Sequence, residues 1–516
     1  MAQTLRRIAR SLAVIGLVLA GTAPGVHAAK PPLRPQRRPP LGARQGRRPE
    51  PRDDLPKAGY GSGAKRVAVD ASRAAGRIAS LLGTNRGPYA WQRRSDRMER
   101  DLTADLKRFG IDFIRTHDYY GPTDWYVMFP DWDADPSAPA SYDFRSSDVR
   151  IRAICENGFA CLFRLGTSWR GPATAPPIHD PPGTRRDGAG RVVHAADRDD
   201  FRTFARVCVG IVRHYTEGWA DGYRYPIRYW EIWNEPDLRE QFWAGTVEQF
   251  DMLYEEVARA LKRHNPDLKV GGVACAGGVR EIYVERFIRR CRDRSLPLDF
   301  FTWHSYGGRD DFNPYLFGET ARRVRKVLDD NGFAGAEAMC TEWNAGIKDR
   351  IFSHTPAGAA FYASTLTAML DGGTDRAFQY CGDNHPGLGL FERTTNEPKI
   401  CAYALAAWKA MLETPHRLVA TGADKGGYTV LAGRDATGRR VRILVSDFQS
   451  GHDGFDLRIE HLPWTDDTPF AVTRRLLDGN HRLAVVEETT GRGRTLTLER
   501  PLTAPAVCLI ELVRTD

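Results

Sequence analysis

The 516-residue chain lacks the cysteine patterns that would indicate a disulfide framework or a zinc site. Its nine cysteines include no Cys-x-x-Cys pair, and an odd number cannot all pair within one chain. Several of them lie in apolar runs, where cysteine behaves as a small buried hydrophobe. We therefore assign the cysteines no chemistry, and we expect no metal site and no cofactor.

Beyond residue 28 the chain also lacks any run that approaches the ~20 apolar residues of a membrane span. The leader is different, because arginines near the N-terminus precede an apolar run from Leu12 to Ala20. Val26-His27-Ala28 then matches the small-x-small pattern of a cleavage site. We interpret residues 1–28 as a signal peptide, with an uncleaved anchor as the alternative. This predicts a periplasmic or secreted protein without a membrane span in the mature chain.

The body of the chain lacks net charge. The formal charge of +9 equals the excess of twelve Lys and Arg over three acids within residues 1–64. Residues 29–64 are rich in Pro and Arg without apolar periodicity, which predicts a disordered linker. Net charge therefore gives no reason to expect nucleic-acid binding by the folded part. A structural or nucleic-acid role for the basic tail is a remote alternative, and the oligomeric state is left open.

Apolar and aromatic residues, by contrast, are plentiful. The chain is 42% hydrophobic and contains 12 Trp, which is enough for one large domain and a smaller one. Tryptophan is typical of carbohydrate-binding proteins, because the flat C–H faces of sugars stack on indoles. Most of these side chains are nevertheless expected to pack the core.

Short apolar runs alternate with longer helical patterns over residues 65–414. Helical patterns such as Phe250–Arg263 and Ala321–Asn331 separate several of the runs. The eight candidate strands are Ile78–Leu82, Phe113–Arg115, Ala160–Leu165, Tyr229–Trp233, Val270–Val273, Phe300–Trp303, Ala338–Thr341 and Ala377–Tyr380. This rhythm predicts an α/β fold, a (β/α)₈ TIM barrel. A doubly wound open sheet is disfavoured because no glycine-rich phosphate loop follows the first strand.

After Thr414-Pro415 the pattern becomes all-β. Strand-like segments such as Tyr428–Arg434 and Arg440–Ser446 are separated by turns, which predicts a small antiparallel β-sandwich over residues 415–516. A first strand near residues 66–72 alternates Val67, Val69 and Ala71, and we expect it to join this sandwich rather than the barrel.

Two glutamates stand at predicted strand ends, where the functional residues of TIM barrels collect. Glu235 ends the fourth strand within Tyr229–Pro236, and Glu342 ends the seventh within Met339–Asn344. Glycoside cleavage needs one carboxylic acid to protonate the leaving oxygen and one carboxylate to attack or assist at the anomeric carbon. Asn234 could hydrogen-bond a sugar 2-hydroxyl. Helix capping or structural salt bridges explain this pair poorly, because both lie at strand ends.

Two motifs resemble the acid/base and nucleophile motifs of clan A retaining glycoside hydrolases: Glu231-Ile232-Trp233-Asn234-Glu235-Pro236 and Thr341-Glu342-Trp343-Asn344. More specifically, they resemble glycoside hydrolase family 39, the β-xylosidases and α-L-iduronidases. Asp299–Tyr306, with its His-x-Tyr segment, and Ile114–Asp118 extend the resemblance, which spans roughly residues 66–515. It implies Glu235 as the acid/base and Glu342 as the nucleophile. It further implies contacts to the glycone from His117, Asn234 and His304, and a hydrogen bond from Tyr306 to the nucleophile.

Arg115 is expected behind the nucleophile rather than against the sugar, because the fixed guanidinium fork suits a carboxylate. A metal site at His117 and His304 is disfavoured, since no third ligand follows at helical or short-range spacing.

The segment after the eighth strand, Gln379–His385, departs from the xylosidase pattern of a Trp followed by an acidic pair. Asp383 and Arg393 look closer to the iduronidase version, in which an arginine holds the substrate carboxylate. Arg393 could equally lie on the loop surface. We therefore predict a retaining β-xylosidase-like enzyme acting on an oligo- or polysaccharide, with an α-L-iduronidase or an exopolysaccharide endo-glycosidase as alternatives. Exo against endo action stays open, and a non-catalytic carbohydrate-binding protein is a remote alternative.

Overall fold

The computed structural model describes residues 63–90, 100–169, 179–239, 241–276, 282–307, 313–346, 352–424 and 426–516. The predicted signal peptide, and the predicted linker as far as residue 62, lie outside these ranges. Within them, no helix is both long enough and apolar enough to cross a membrane.

The strands, in chain order, are β1 (Ala64–Arg77), β2 (Gly83–Asn85), β3 (Phe113–Arg115), β4 (Ala160–Leu165), β5 (Arg185–Arg186), β6 (Val192–His194), β7 (Tyr229–Ile232), β8 (Lys269–Cys275), β9 (Phe300–Tyr306), β10 (Glu337–Asn344), β11 (Arg376–Gln379), β12 (His416–Thr421), β13 (Tyr428–Arg434), β14 (Arg440–Asp447), β15 (Gly454–Glu460), β16 (Pro469–Leu477), β17 (Arg482–Arg492), β18 (Leu496–Pro501) and β19 (Ala506–Arg514).

The α-helices are α1 (Thr103–Arg108), α2 (Trp125–Met128), α3 (Arg145–Glu156), α4 (Arg198–Thr216), α5 (Val247–His264), α6 (Phe287–Asp293), α7 (Tyr315–Asp330), α8 (Pro356–Asp371) and α9 (Ile400–Leu412). Short 3₁₀ turns lie at Pro139–Ser141 and Phe352–His354, and a π-turn at Ile282–Arg286 leads into α6. Capping boxes begin the two long helices, Asp197 with Asp200 at α4 and Thr246 with Gln249 at α5.

Eight strands close into a barrel in the order β10-β11-β2-β3-β4-β7-β8-β9, and every adjacent pair is parallel. A helix follows each of these strands in the chain, as the βαβ crossover of a parallel sheet requires. The predicted (β/α)₈ barrel is therefore confirmed.

The first barrel strand differs from its predicted position. The apolar run Ile78–Leu82 precedes the strand and is buried in the core, whereas β2 itself is the small, polar segment Gly83–Asn85. A Cβ at Gly83 would lie only 2.6 Å from Cδ1 of Phe378, so this strand passes its neighbour only with glycine there. The apolar residues at this point of the chain are therefore buried beside the barrel, but they do not form its strand.

A second sheet of nine strands has the order β17-β16-β19-β14-β13-β12-β1-β15-β18. Strand β1 lies in its interior, antiparallel to β12 and parallel to β15. The predicted smaller β domain beside the barrel is therefore confirmed, and the strand near residues 66–72 joins it as expected. The sheet departs from the prediction at one pair, β1 with β15, which is parallel, whereas its other pairs are antiparallel. Val67, Val69 and Ala71 alternate into its apolar core.

Inside the barrel, an apolar layer fills the end at which the strands begin. This layer consists of Phe113, Leu162, Phe300, Met339 and Phe378. Inward-facing positions recur every second residue along a strand. The next inward position after Phe113 is Arg115, and the next after Leu162 is Arg164, both fully buried. The polar site thus rests directly on an apolar floor.

Candidate active site

Glu235 follows β7 on a backbone that bends sharply. Trp233 and Glu235 have φ values of 70° and 45°, in the left-handed region that side chains other than glycine rarely adopt. Neighbouring barrel strands hold this bend, because Trp233 N donates to Leu165 O at 2.8 Å and Glu235 N donates to Ala274 O at 2.9 Å. The bend lifts the Glu235 carboxyl group over the open end of the barrel.

Glu342 lies on β10 itself, opposite His304 of β9, where a register shift interrupts the regular pairing. Two side chains donate to its carboxylate. Arg115 Nη1 donates to Oε1 at 2.8 Å, and the Tyr306 hydroxyl donates to Oε2 at 2.6 Å. Both contacts were predicted for these residues. They favour the ionised form of Glu342.

The two glutamates lie close together. A carboxylate oxygen of Glu235, one of Glu342 and a ring nitrogen of His304 all lie within 4.8 Å of one another. Burial raises the pKa of Glu235 well above its usual range, and the neighbouring Glu342 raises it further. Burial also raises the pKa of Glu342 to about 7, against the lowering effect of Arg115 and Tyr306. The two environments therefore separate the pKa values of the two carboxyl groups, and Glu235 holds its proton more tightly than Glu342.

Two buried histidines border the carboxylates. His304 Nδ1 lies 2.7 Å from Glu235 Oε1, and His117 Nε2 lies 3.4 Å from Glu342 Oε1. Burial, followed by the charge of Arg115, lowers the pKa of both imidazoles well below the usual range, so both rings are neutral at pH 7. A neutral imidazole can both donate and accept hydrogen bonds, which suits contact with sugar hydroxyls.

Arg115 connects the two strands that carry the glutamates, because it donates to Glu342 on β10 and also to residues on and after β7. Its Nε donates to Glu231 Oε2 at 2.6 Å, and its Nη2 donates to Asn234 Oδ1 at 2.7 Å. The second bond orients the Asn234 amide so that Nδ2, which has no hydrogen-bond partner among the described residues, remains as a donor. Glu231 belongs to the fourth-strand motif, but the sequence assigned it no role. Its position shows that it is the counter-charge of Arg115.

The loop after β11 places Asp383 and Arg393 differently. Asp383 is buried, and its Oδ2 accepts from Arg86 Nη1 at 3.2 Å. The side chain of Arg393 is exposed to solvent, while its backbone carbonyl accepts from Asn384 Nδ2 at 3.3 Å. The exposure of Arg393 fits the loop-surface position that the sequence analysis considered for it.

Arg86, directly after β2, is a buried cation that sequence reasoning missed. Its Nη2 donates to the Tyr120 hydroxyl at 2.6 Å and to the Tyr380 hydroxyl at 3.2 Å. The Tyr380 hydroxyl also donates to Asp118 Oδ2 at 2.5 Å. A φ of 62° at Arg86 and 59° at Asp118 shows that both loops turn sharply here. A lone arginine after a glycine-containing strand offered no motif by which to find it.

Among the described residues, two groups could offer a metal ion three ligands. Glu235, His304 and Glu342 form one, in which both oxygens of Glu342 already accept hydrogen bonds and His304 Nδ1 lies against Glu235 Oε1. His194, Asp197 and Asp200 form the other, on the surface at the start of α4, where Asp197 caps the helix and His194 pairs with Asp200. Hydrogen bonding within the protein accounts for the arrangement of both groups.

Two β-xylosidases are similar in sequence to part of this chain. A β-xylosidase of Caldicellulosiruptor saccharolyticus is 32% identical over 190 residues, and one of Geobacillus stearothermophilus is 38% identical over 189 residues. These matches span only 38% and 36% of the length of those two relatives.

Among solved structures, a glucosidase from Croceicoccus marinus is 28% identical, with a TM-score of 0.69 over 88% of this chain and all of that one. A monomeric β-xylosidase from Caulobacter crescentus is 19% identical with a TM-score of 0.63 and covers 88% of this chain, which shows the shared fold. The model of the glycosyl hydrolases family 39 matches residues 65–381, which include both glutamates, both histidines and Tyr306. The chain therefore belongs to glycosyl hydrolases family 39.

Proposed function

We propose that the protein is a retaining glycoside hydrolase in which Glu342 is the nucleophile and Glu235 the general acid/base. The observation that carries the proposal is the pair itself. Carboxylate oxygens within 4.8 Å of each other leave no room for the water that inverting enzymes place between carboxyl groups ~6.5–9.5 Å apart. Retaining enzymes, by contrast, hold their carboxyl groups ~5–5.5 Å apart.

In the first step, a Glu342 oxygen attacks the anomeric carbon while the bond to the leaving oxygen breaks. Glu235 donates its proton to that oxygen, and the sugar remains bound to Glu342 as an ester. In the second step, Glu235 removes a proton from water, the water oxygen attacks the anomeric carbon, and Glu342 leaves as a carboxylate. Each cycle consumes one water and returns both glutamates to their starting states.

The charges around each glutamate support this division of roles. Glu342 receives hydrogen bonds from Arg115 and Tyr306, so it is the carboxylate that ionises first. Burial, and after it the nearby charges of Glu342, Asp237 and Asp118, raises the pKa of Glu235 and so favours its protonated form. Asn234 Nδ2 is positioned to donate to a sugar 2-hydroxyl, a contact that strengthens in the transition state.

For the glycone we propose a neutral β-pyranoside of the β-xyloside type. An α-L-iduronide needs a cation against its C5 carboxylate, but the Arg393 side chain is exposed to solvent. The buried Arg86 already has Asp383 as its counter-charge. The β-xylosidases among the relatives favour a xyloside, and the glucosidase favours a glucoside as the second candidate.

Two measurements test this function. Turnover of 4-nitrophenyl β-D-xyloside, β-D-glucoside, α-L-arabinoside and α-L-iduronide should be fastest with a neutral β-glycoside. Proton NMR of the first-formed product should show the β-anomer. Release of the α-anomer would overturn the retaining mechanism, and binding of oligosaccharides without turnover would indicate a non-catalytic carbohydrate-binding protein.

The leader sequence supports a further proposal, that the protein acts in the periplasm or outside the cell. N-terminal sequencing of the protein from a periplasmic fraction should begin at residue 29. Recovery with Met1 retained in the cytoplasmic fraction would contradict it.

A further inference from the structure

We propose that Trp169 is a stacking platform for a second sugar ring. This second ring is adjacent to the ring whose glycosidic bond the two glutamates would cleave. The inference rests on the proposed glycosidase function. Trp169 is 40% exposed, more than any other Trp, Tyr or Phe among the residues that the structure describes. Trp230, Trp233, Trp243, Trp303, Trp343 and Trp408, by contrast, are fully buried.

The position of Trp169 sets it apart from the other exposed apolar side chains. It follows β4, at the same open end of the barrel as Glu235 and Glu342. The other exposed large apolar residues are aliphatic: Val149, Val192, Val193, Leu316 and Val485. Single exposed aliphatic side chains are ordinary on protein surfaces, but an exposed indole beside a carbohydrate site is a surface on which a pyranose can stack.

One aromatic ring connects Trp169 to the catalytic residues. The Trp169 and Phe242 rings meet edge to face at 5.5 Å, and the Phe242 ring lies 6.0 Å from that of His117. His117 in turn lies 3.4 Å from Glu342. Phe242 also belongs to the loop that begins with Glu235. The Phe242 ring therefore stands between the indole and His117, which places the indole beside the position of the ring that His117 would contact.

Hydrogen bonds hold the platform in place. Trp169 N donates to Asp118 Oδ1 at 2.6 Å, and Ser168 Oγ donates to Asp124 Oδ1 at 2.9 Å. Trp125 N donates to Gly166 O at 3.1 Å. These bonds tie the segment after β4 to the segment after β3, so the backbone that carries Trp169 is already held in place before a sugar binds.

The experiment compares substrates of one and several rings. The single-ring substrates are β-xylosyl fluoride and β-glucosyl fluoride, whose leaving group is too small to reach Trp169. The longer substrates are xylotriose and cellotriose, which extend beyond the ring that Glu342 attacks. Trp169→Ala should lower kcat/KM for the trisaccharide that the wild type cleaves by about tenfold, as expected when a stacked ring loses its partner. It should leave kcat/KM for the matching fluoride within about twofold.

Two variants serve as controls. Trp169→Phe keeps an aromatic face and should restore most of the trisaccharide activity. Val193→Ala removes an exposed apolar side chain from the same β4–α4 connection, 64% exposed, and should change neither substrate. An equal loss on fluoride and trisaccharide, or no loss on either, would overturn the platform while leaving the glycosidase intact. A wild type that turns over none of the four substrates would instead overturn the proposed function, and the inference with it.

Discussion

The two ends of the barrel interior are formed by the same strands, but one end is lined by apolar side chains and the other by charged ones. At the end where the strands begin, Phe113, Leu162, Phe300, Met339 and Phe378 form a layer of apolar side chains. At the end where they finish, the interior is occupied by charged groups held in hydrogen bonds. On β3 the change from one to the other takes two residues, from Phe113 to Arg115.

This contrast shows why the polar end depends on its own network. Buried charges are tolerated only when they are paired, and Arg115 with Glu231 and Glu342 meets that condition. The apolar end needs no such pairing, because area removed from water stabilises it without regard to direction. Substitutions at the floor should therefore act on stability, and substitutions at the mouth on turnover.

The largest effect on turnover is expected from Glu342→Ala. Without a nucleophile no glycosyl-enzyme can form, so kcat should fall by ~10⁴-fold or more on every substrate that the wild type accepts. Steady-state rates with a 2,4-dinitrophenyl glycoside measure this loss. Glu337→Gln is a matched control on the same strand, since Glu337 pairs with Lys269 and Arg376 away from the mouth, and it should keep kcat. Substantial turnover by Glu342→Ala would refute its role as nucleophile.

Glu235→Ala should show a loss that depends on the leaving group. Turnover should fall by ~10²–10⁴-fold for a poor leaving group such as methanol and far less for 2,4-dinitrophenol, which departs without a proton. Azide, a small anion that needs no general base, should then restore turnover and yield a β-glycosyl azide. A uniform loss across leaving groups, without azide rescue, would show that the two glutamates have been assigned the wrong roles.

Tyr306→Phe should have a smaller effect, of about tenfold on kcat/KM at pH 7, because it removes one of two donors to Glu342. The pH profile is the sharper measurement. In the proposed mechanism activity needs Glu342 ionised and Glu235 protonated. The value of kcat/KM should therefore rise as pH increases through the Glu342 pKa of about 7 and fall again as Glu235 loses its proton at higher pH.

Removal of the Tyr306 hydroxyl takes away a contact that lowers the pKa of Glu342, so the rising limb should move to higher pH. Tyr315→Phe removes a hydroxyl that donates to the backbone carbonyl of Tyr428 and not to Glu342, so it should leave both limbs in place. A rising limb that does not move would mean that Tyr306 does not act on the charge of Glu342.

The sequence predicted most of the barrel because its strands are short, apolar and evenly separated by helical patterns. It also predicted the contacts of Arg115 and Tyr306 with Glu342, which follow from two strand-end motifs. It could not place Arg86, since the partners of that cation come from residues 118–120 and 380–383, on two other loops. Neither could it decide the direction of Arg393, because only the folded path of the loop determines whether a side chain faces the mouth or the solvent.

The smallest effect on turnover is expected at the apolar floor. Phe378 meets the Phe113 ring at 5.1 Å and covers Gly83, so Phe378→Ala should lower the free energy of unfolding by about 3–5 kcal/mol. Phe378→Leu, which leaves a smaller gap, should cost about 1 kcal/mol and guards against failure of the first variant to fold. Denaturant unfolding measures both.

The kcat of the remaining folded enzyme should stay within about twofold of the wild type at low temperature, because Arg115, Glu235 and Glu342 hold their geometry through the hydrogen bonds above the floor. A loss of kcat beyond tenfold in the stable Phe378→Leu variant would show that the floor positions the charges directly, and that the two ends of the barrel cannot be treated as separate layers.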